Sequence, residues 1–182
     1  MLSTDNTIML VVDIQERLLP SIHNHETLVR KTAGCISGVR LLDIPIIVLQ
    51  QYTKGLGETV QPLQTALGDF QPVEKVTFSA FQTVEFVDKL EQYGRKNVIV
   101  TGIEAHICVQ QTVLELLSAG YNVYVAADCT GSRKEADKLY AEHRMRQAGA
   151  AVTTLESILF ELLVRADHPM RKEITKIVTS ID

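Results

Sequence analysis

The sequence predicts an α/β protein of three layers, α/β/α, built on a mostly parallel, Rossmann-like sheet of about six strands. Short runs of aliphatic and β-branched residues alternate along the chain with longer segments whose apolar residues recur at helical spacing. The short runs are continuously apolar, which is typical of parallel strands that helices cover on both faces. Right-handed crossovers between such strands then distribute the helices over the two faces of the sheet.

Each predicted element rests on its own local pattern. The strands are predicted at residues 7–14, 44–49, 73–76, 97–101, 122–127 and 151–154. Helices are predicted at residues 27–42, after Ser79, at 109–120, at 132–148, at 157–164 and after Pro169. The last helix carries an apolar stripe that must be covered by something, with another subunit as one candidate: Ile174, Ile177, Val178 and Ile181.

Residues 50–72 differ in composition from the rest of the chain. They contain Gly55, Gly57, Pro62, Gly68 and Pro72 and few periodic apolar positions. A connection of this length in a compact domain is usually functional or contains a short element of its own. We expect a flap over the functional site, with a short helix around residues 59–67.

Length and composition indicate one domain, residues 1–182, since 46% of the residues are apolar and can form a full core. The net charge of −4 and the pI near 5.7 argue against nucleic acid or an anionic membrane as the main partner. No apolar run approaches the roughly 18 residues of a spanning helix. The amino-terminal residues lack the basic and apolar regions of a signal peptide.

The cysteines indicate a reducing compartment, so a cytoplasmic location is predicted. Cys35, Cys108 and Cys129 form no CxxC pair, and their number is odd. We expect Cys35 and Cys129 to be buried and inert, and Asp128 to bond the loop that leads to Ser132.

Cys108 follows a predicted buried strand and lies in or next to the first turn of a predicted helix. In open α/β sheets, ligands bind at the carboxyl ends of the strands. Unpaired N–H groups and the positive end of the helix dipole stabilise a thiolate there, which favours a reactive cysteine with a lowered pKa. A lone cysteine is also commonly a small buried hydrophobic residue, and this segment alone does not distinguish the two.

Asp13 and Lys75 also lie at predicted carboxyl ends of strands, so three side chains that are distant in sequence can meet at one edge of the sheet. Raising the thiolate fraction of a cysteine about a hundredfold requires about 2.7 kcal/mol of stabilisation. An ammonium beside a helix N-terminus can supply this stabilisation. Asp13 could accept the thiol proton and return it to a leaving group. Taken singly, Asp13 fits a helix or loop cap equally well, and Lys75 fits a solvated charge.

Three segments resemble, in order, the signature blocks of the isochorismatase-like cysteine hydrolases. They are Asp13-Ile14-Gln15, the sequence KVTFSAF at residues 75–81 and the sequence GIEAHICV at residues 102–109. The resemblance covers nearly the whole chain. The sequence QYTKGLG at residues 51–57 and the tail from His168 to Ile174 are most similar to the isochorismatase domain-containing proteins, a branch mostly without an assigned substrate.

The resemblance implies a role for each residue of the constellation. Asp13 would be the general acid and base, Lys75 its electrostatic partner and Cys108 the nucleophile of an acyl- or imidoyl-thioester mechanism. A cis peptide at Ile103–Glu104 is also implied. It would aim the N–H of Glu104, together with that of Cys108, at the developing oxyanion.

Sequence differences from related families narrow the predicted cofactors and the type of bond that is cleaved. Nicotinamidases of this superfamily carry an Asp-x-His and a further histidine where this chain has the sequence QQYT at residues 50–53, so we predict no metal and no other cofactor. True isochorismatases lack the nucleophilic cysteine, so Cys108 favours cleavage of a C–N, amide-type bond in a small molecule. His23 and His25 have metal-like spacing, but no third ligand is apparent.

The predicted substrate pocket is lined by Gln15, Tyr52, Phe78, Phe81 and His106. The aromatic residues fit a hydrophobic core equally well, and His106 also fits a helix cap.

Two other functions stay open. One is a catalytically silent binding or scaffold protein of the same fold, and the other is a thiol redox sensor, although no second cysteine lies near Cys108 in the sequence. A homo-oligomer, dimer or higher, is expected from the resemblance.

Overall fold

Six strands form one sheet in which all neighbouring strands are parallel, in a computed structural model that describes Met1–Ile181. The strand order is β3-β2-β1-β4-β5-β6. The strands are β1 Thr7–Val12, β2 Ile46–Gln51, β3 Val73–Lys75, β4 Asn97–Ile103, β5 Asn122–Gly131 and β6 Ala151–Thr153. The predicted three-layer α/β class is confirmed, and the sheet is wholly rather than mostly parallel. Asp182, the last residue of the predicted domain, lies outside the described residues.

Eight α-helices accompany these strands within residues 1–181: α1 His25–Leu41, α2 Thr53–Leu56, α3 Gln61–Leu67, α4 Val84–Tyr93, α5 Gln110–Ser118, α6 Glu135–Gln147, α7 Leu155–Leu163 and α8 Arg171–Ser180. A π-helical turn, Ala105–Val109, precedes α5. The helix predicted from residue 132 begins only at Glu135, because the Ser132 hydroxyl bonds to His106 instead of capping the helix. None of the helices in the described chain is long and apolar enough to cross a membrane.

The strands are apolar on both sides because each side packs against helices. In β1, Met9 and Val11 face a core that includes α1, α3, α7 and α8. Ile8 and Leu10 face the opposite core, which includes α4, α5 and α6. This arrangement explains why the strands lack the polar alternation of a half-exposed sheet.

The apolar stripe of the last helix is covered by the chain itself. Ile174 and Val178 of α8 are buried, and so is Ile181 just beyond it. Ile181 lies so close to Gly34 of α1 that a Cβ added there would be 2.9 Å from its Cδ1. The surface that α8 covers is therefore α1, and the stripe does not require a second subunit.

The predicted flap at residues 50–72 divides into two parts. The expected short helix is α3, but it packs on α1, with Leu63 and Leu67 buried and the Arg40 guanidinium donating to the Ala66 carbonyl at 2.7 Å. The residues that adjoin Lys75 are those at the end of β2 and just after it. The flap prediction therefore fails for α3, because its apolar face is used to cover α1.

The chain direction through the sheet changes between β1 and β4, since β1 leads outward to β2 and β3, and β4 leads to β5 and β6. Ligands bind at such a switch point in open α/β sheets. The two strands approach each other closely there. A Cβ on Gly102, whose φ is 149°, would lie 2.5 Å from the Val12 carbonyl oxygen, so only glycine fits without displacing the strand.

The pairing of β5 with β4 is interrupted by a bulge. Val125 pairs with Val100, but the next pair is Thr130 with Gly102. Residues 126–129 therefore leave this ladder, and a bulge of this kind re-aims the side chains that it contains.

Candidate active site

Asp13 is the first residue after β1 and lies at the switch point. Its φ of 55° is in the left-handed region, which Asp tolerates better than most residues. The residue is completely buried. Oδ2 accepts a hydrogen bond of 2.6 Å from Lys75 Nζ, while Oδ1 has no partner of ordinary geometry among the described residues. One carboxylate oxygen is thus held, and the other is free to accept a proton.

Lys75 is the last residue of β3, and its side chain is buried. Besides Asp13, its Nζ donates to Gln51 Oε1 at 2.6 Å and to the carbonyl oxygens of Thr77 and Phe78 at 3.2 and 3.1 Å. A buried ammonium needs both a compensating charge and acceptors for its protons. The pairing of β2 with β3 provides one of these acceptors, because it sets Gln51 beside Lys75.

Cys108 lies in the π-helical turn after β4, with 5% of its surface exposed. The Thr112 hydroxyl donates to its carbonyl at 2.8 Å and accepts from the N–H of Ala80 at 3.0 Å. The thiol interacts with the Asp13 carboxylate, since each group shifts the pKa of the other. The side chains of Asp13, Lys75 and Cys108 therefore meet at one edge of the sheet.

The structure contradicts the predicted lowering of the thiol pKa. Burial and then the charge of Asp13 raise the pKa of Cys108 from 9.0 to about 12, although Lys75 acts in the opposite direction. Burial also raises the pKa of Asp13, against the influence of Lys75. The main reason is the burial of the sulfur; in addition, the ammonium is bound directly to the carboxylate, so the sulfur experiences both charges. The resting protein holds a neutral thiol beside the Asp13–Lys75 pair.

The predicted cis peptide at Ile103–Glu104 is contradicted, because no cis bond occurs within residues 1–181. The chain turns at Glu104 itself, which is left-handed with φ 54° and ψ 57°. Asp13 and Tyr52, the first residues past β1 and β2, also have positive φ. Such a conformation costs roughly 1 kcal/mol at a non-glycine residue. The backbone at this edge is therefore held by its surroundings.

Gln15, predicted to line the pocket, is completely buried and bonds to the backbone instead. Its Nε2 donates to the carbonyls of Gln51 and Gly57 at 3.0 and 2.7 Å, and its Oε1 accepts from the Gln51 N–H at 2.7 Å. Gln15 therefore positions Gln51 and, through it, Lys75. Gln51 was not predicted as a site residue, although a polar residue ending a buried strand is the signal that identified Lys75.

The three aromatic residues that were predicted to line the pocket lie in two different surroundings. Tyr52 and Phe78 bond to Lys75 through their backbones, and 51% and 57% of their surfaces are exposed, so both residues lie at the rim of the site. Phe81 packs edge-on against Phe86 with ring centroids 6.5 Å apart. Phe81 is half-buried and packs on the apolar cluster that contains Phe86, which favours a role in packing over the predicted role in the pocket.

His106 is half-buried, and its Nδ1 lies 2.9 Å from the Ser132 Oγ. It ties the turn that carries Cys108 to the loop after β5. A cavity of about 280 Å³ opens beside Ser132 and is lined by Lys31 and Asp128 among others. Asp128 does not bond this loop as predicted. It accepts from the N–H of Leu155 at 2.9 Å and pairs with Lys31 at 3.3 Å.

His23 and His25 have separate surroundings in the structure. His23 lines the 280 Å³ cavity, and the His25 ring lies 3.1 Å from the Ile22 carbonyl. In the part of the chain that is described, no cluster of three His, Cys, Asp or Glu side chains is arranged to hold a metal ion.

Comparison with known proteins agrees with this architecture. The model of the isochorismatase domain matches residues 7–157. Isochorismatase domain-containing protein 1 from Salmo salar is 38% identical over 172 residues, which are 94% of this chain and 60% of that protein. The chain thus spans less than two thirds of this relative's length.

Two further similarities cover more of the compared proteins. Isochorismatase domain-containing protein 2A from Mus musculus is 38% identical over 177 residues, 96% of this chain and 83% of that protein. The solved structure of MAR1 ribonuclease from Caenorhabditis elegans has a TM-score of 0.92 and 37% identity, and the match covers 98% of this chain and 92% of that one. By the span of the domain model and the identity of these relatives, the chain belongs to the isochorismatase family.

Proposed function

We propose that the protein is a cysteine hydrolase that cleaves a C–N, amide-type bond of a small molecule through a thioester on Cys108. The observation that supports this best is the shared carboxylate of Asp13, which binds Lys75 at 2.6 Å and interacts with the Cys108 thiol. A carboxylate fixed by an ammonium and within reach of a thiol is suited to move the thiol proton. Membership in a hydrolase family supports the same class of reaction.

In the first half of the proposed reaction, the thiol proton passes to Asp13 while the sulfur bonds to the substrate carbonyl carbon. The carbonyl oxygen takes up the displaced electron pair and becomes an oxyanion. When this intermediate collapses, the C–N bond breaks and Asp13 gives the proton to the leaving amine. The products are the free amine and an acyl thioester of Cys108.

The raised pKa of the thiol favours proton transfer during the attack. With a pKa of about 12, forming the thiolate beforehand at pH 7 would cost about 7 kcal/mol. Burial raises the pKa of Asp13 and so narrows the gap between proton donor and acceptor. Lys75 limits this rise, which keeps the carboxylate able to accept a proton.

In the second half, a water molecule loses a proton to Asp13 and adds to the thioester carbonyl. The C–S bond then breaks, the acid leaves, and the sulfur regains its proton from Asp13. The same carboxylate thus serves as base and acid in both halves.

The backbone N–H groups of Glu104 and Cys108 are the proposed oxyanion donors. They belong to the turn that follows β4 at the switch point. One such donor is typically worth about 3–4 kcal/mol of barrier. Tyr52, Phe78 and His106 are the residues proposed to border the substrate, while Gln15 and Phe81 are not retained in this role.

The test is turnover of a panel of small aliphatic and aromatic amides, followed by release of amine and by mass spectrometry of acid-quenched protein. We expect an acyl adduct on Cys108 and a loss of at least about a thousandfold in turnover in Cys108→Ala. Cys35→Ala is the matched control and should retain activity. Undiminished turnover in Cys108→Ala would contradict the thioester mechanism.

A catalytically silent binding or scaffold role is the alternative, and the 5% exposure of Cys108 favours it. This alternative predicts no adduct on Cys108 with any amide of the panel. A ribonuclease activity is another candidate, favoured by the C. elegans relative described as MAR1 ribonuclease. The net charge of −4 works against binding a polyanion. Cleavage of RNA that Cys108→Ala abolishes would replace the amide by a phosphodiester as the substrate.

We further propose that the chain acts as one domain on a small-molecule substrate, without a cofactor, nucleic acid or membrane, in the cytoplasm. All three cysteines are free, as in a reducing compartment. A homo-oligomer, dimer or higher, is proposed because Val76, 76% exposed, adds to the apolar rim beside Phe78. Light scattering tests the assembly, and turnover in the presence of a chelator tests the independence from metal.

A further inference from the structure

Two cysteines outside the proposed active site, Cys35 of α1 and Cys129 of β5, lie together in the core. Both are completely buried in the same apolar cluster. The two thiols are neighbours, since the Cys35 thiol contributes to the raised pKa of Cys129. The sequence gives no sign of this pair, because the two residues belong to distant elements.

The packing of α1 on β5 holds the pair from one side. Leu28 packs over Gly131 so closely that a Cβ there would lie 2.5 Å from its Cδ1. Along α1 towards the pair, Lys31 Nζ lies 3.3 Å from Asp128 Oδ2. Because an α-helix repeats about every 3.6 residues, the next position on this face is that of Cys35.

The bulge in β5 explains why Cys129 faces α1. Residues 126–129 are outside the ladder with β4, so the ordinary alternation of side chains does not apply to them. Cys129 and its neighbour Asp128 both point towards α1, the first into the core cluster and the second to Lys31.

We propose that Cys35 and Cys129 are a redox pair that a peroxide converts into a disulfide linking α1 to β5. This modification site is separate from the proposed active site, and its test does not depend on any activity of the protein.

The carboxylate of Asp128 lies beside the Cys129 sulfur and borders two cavities. Its Sγ lies 4.0 Å from Asp128 Oδ1. Asp128 lines two cavities of about 280 and 110 Å³, and a water-sized molecule occupies about 30 Å³. A peroxide can therefore reach this carboxylate, and the carboxylate is an acceptor for the thiol proton.

Thr32 of α1 contributes a hydroxyl to the same place. Its Oγ1 is buried and has no hydrogen-bond partner of ordinary geometry within residues 1–181. It interacts with the Cys129 sulfur and lowers the pKa of that thiol. The hydroxyl is thus placed to stabilise a thiolate or a sulfenate at Cys129.

The oxidation balances with peroxide as the oxidant. Asp128 takes the proton of Cys129, the sulfur attacks one peroxide oxygen, and the O–O bond breaks to give a sulfenic acid. The departing hydroxide takes the proton back from Asp128 and leaves as one water. The Cys35 sulfur then attacks the Cys129 sulfur, the S–O bond breaks, and the oxygen leaves with the Cys35 proton as a second water. The thiols lose two electrons and two protons, and the peroxide is reduced.

Burial and the neighbouring Cys35 thiol raise the pKa of Cys129 well above its ordinary value. The reaction is therefore slow near neutral pH and accelerates as the pH rises, because the thiolate is the nucleophile. The pair stays reduced in a compartment that lacks peroxide.

The experiment exposes native, reduced protein to hydrogen peroxide, blocks the remaining thiols under denaturing conditions and maps the peptides without reduction. Trypsin leaves Cys108 and Cys129 in one peptide, because no Lys or Arg lies between Asn97 and Arg133. A glutamate-specific protease is added to cut after Glu115 and separate them. We expect a peptide in which Cys35 is joined to Cys129, about 2 Da lighter than the two thiol peptides together, that a dithiol reductant splits.

The exposed Met170, 36% accessible, serves as a gauge of the peroxide dose through its sulfoxide. Cys108→Ala should form the cross-link as the wild type does, and Cys35→Ser should form none. The proposal is overturned if Met170 is fully oxidised while Cys35 and Cys129 both remain free thiols. It is also overturned if Cys129 is joined to Cys108 instead.

Discussion

The side chain of Gln15 pairs with the backbone of Gln51 as a neighbouring strand would. Its Oε1 accepts from the Gln51 N–H at 2.7 Å, and its Nε2 donates to the Gln51 carbonyl at 3.0 Å. Gln51 in turn accepts from Lys75 Nζ at 2.6 Å. A buried amide thus connects the loop after β1 with the ammonium that binds Asp13.

Replacing Gln15 by Glu keeps the shape of this side chain but removes its donor. A carboxylate oxygen would then face the carbonyls of Gln51 and Gly57, and each buried group left unsatisfied costs about 1–3 kcal/mol. We expect Gln15→Glu to lose at least about 2 kcal/mol of unfolding free energy in urea titrations. Gln61→Glu, in the exposed first turn of α3, is the control and should be nearly neutral. Equal effects of the two changes would contradict the positioning role.

Lys75→Met leaves the Asp13 carboxylate buried without its partner. Breaking a buried ion pair in this way typically costs about 3–5 kcal/mol, and we expect a loss of this size in denaturant unfolding. The pKa of Asp13 should rise further, since Lys75 lowers it at present.

The double variant Asp13→Asn, Lys75→Met distinguishes a charge effect from a packing effect. Because it removes both buried charges, we expect it to recover most of the stability lost in Lys75→Met. If the two losses simply added, the ion pair would not be the cause.

The Cys108 thiol makes the folded protein less stable at alkaline pH. Its folded pKa of about 12 lies above the 9.0 of an ordinary thiol, so the folded state keeps the proton that the unfolded state releases. This contribution is complete below pH 9 and declines as the pH rises towards 12. Between pH 8 and pH 10, wild type should lose about 1.4 kcal/mol relative to Cys108→Ala. Urea unfolding at both values measures it, and parallel pH dependence of the two proteins would show that the thiol pKa is not raised.

Gly102→Ala should separate β1 from β4 at the switch point. The added Cβ would lie 2.5 Å from the Val12 carbonyl oxygen, and overpacking of this kind costs about 1–3 kcal/mol. Gly120→Ala is the control, since its φ is also positive, at 83°, but nothing lies within 4 Å of the added atom. We expect a clearly larger loss for Gly102→Ala in thermal unfolding, and a similar loss in both would assign the cost to φ alone.

The fold was predictable because its signals are local. Continuous runs such as residues 97–101 identify buried parallel strands, and a polar residue after such a run, as at Asp13, identifies the edge where ligands bind. From the sequence alone, that rule predicted that Asp13, Lys75 and Cys108 lie close together. Gln51 obeys the same rule, and was missed because its segment was treated as a flap.

Other features depend on contacts that no local pattern contains. The pKa of Cys108 is decided by how deeply the sulfur is buried and by Lys75 bonding to Asp13, so the ammonium alone predicted the wrong direction. The contact of Cys35 with Cys129 needs both the packing of α1 and the bulge in β5. The packing of Phe81 against the core likewise depends on its contact with Phe86, which is not visible in the local sequence.

The buried ammonium at the end of β3 also bears on how the chain aligns during folding. This edge strand has only the residues Val73–Lys75 to define its pairing with β2, so its register depends on which side chains are buried. A shift by a single position would bring Glu74 to the place of Lys75 and set one acid against another in the interior. Repulsion between the two carboxylates would disfavour this misaligned pairing. The lysine that is proposed to act in catalysis would therefore also help to specify the register of β3.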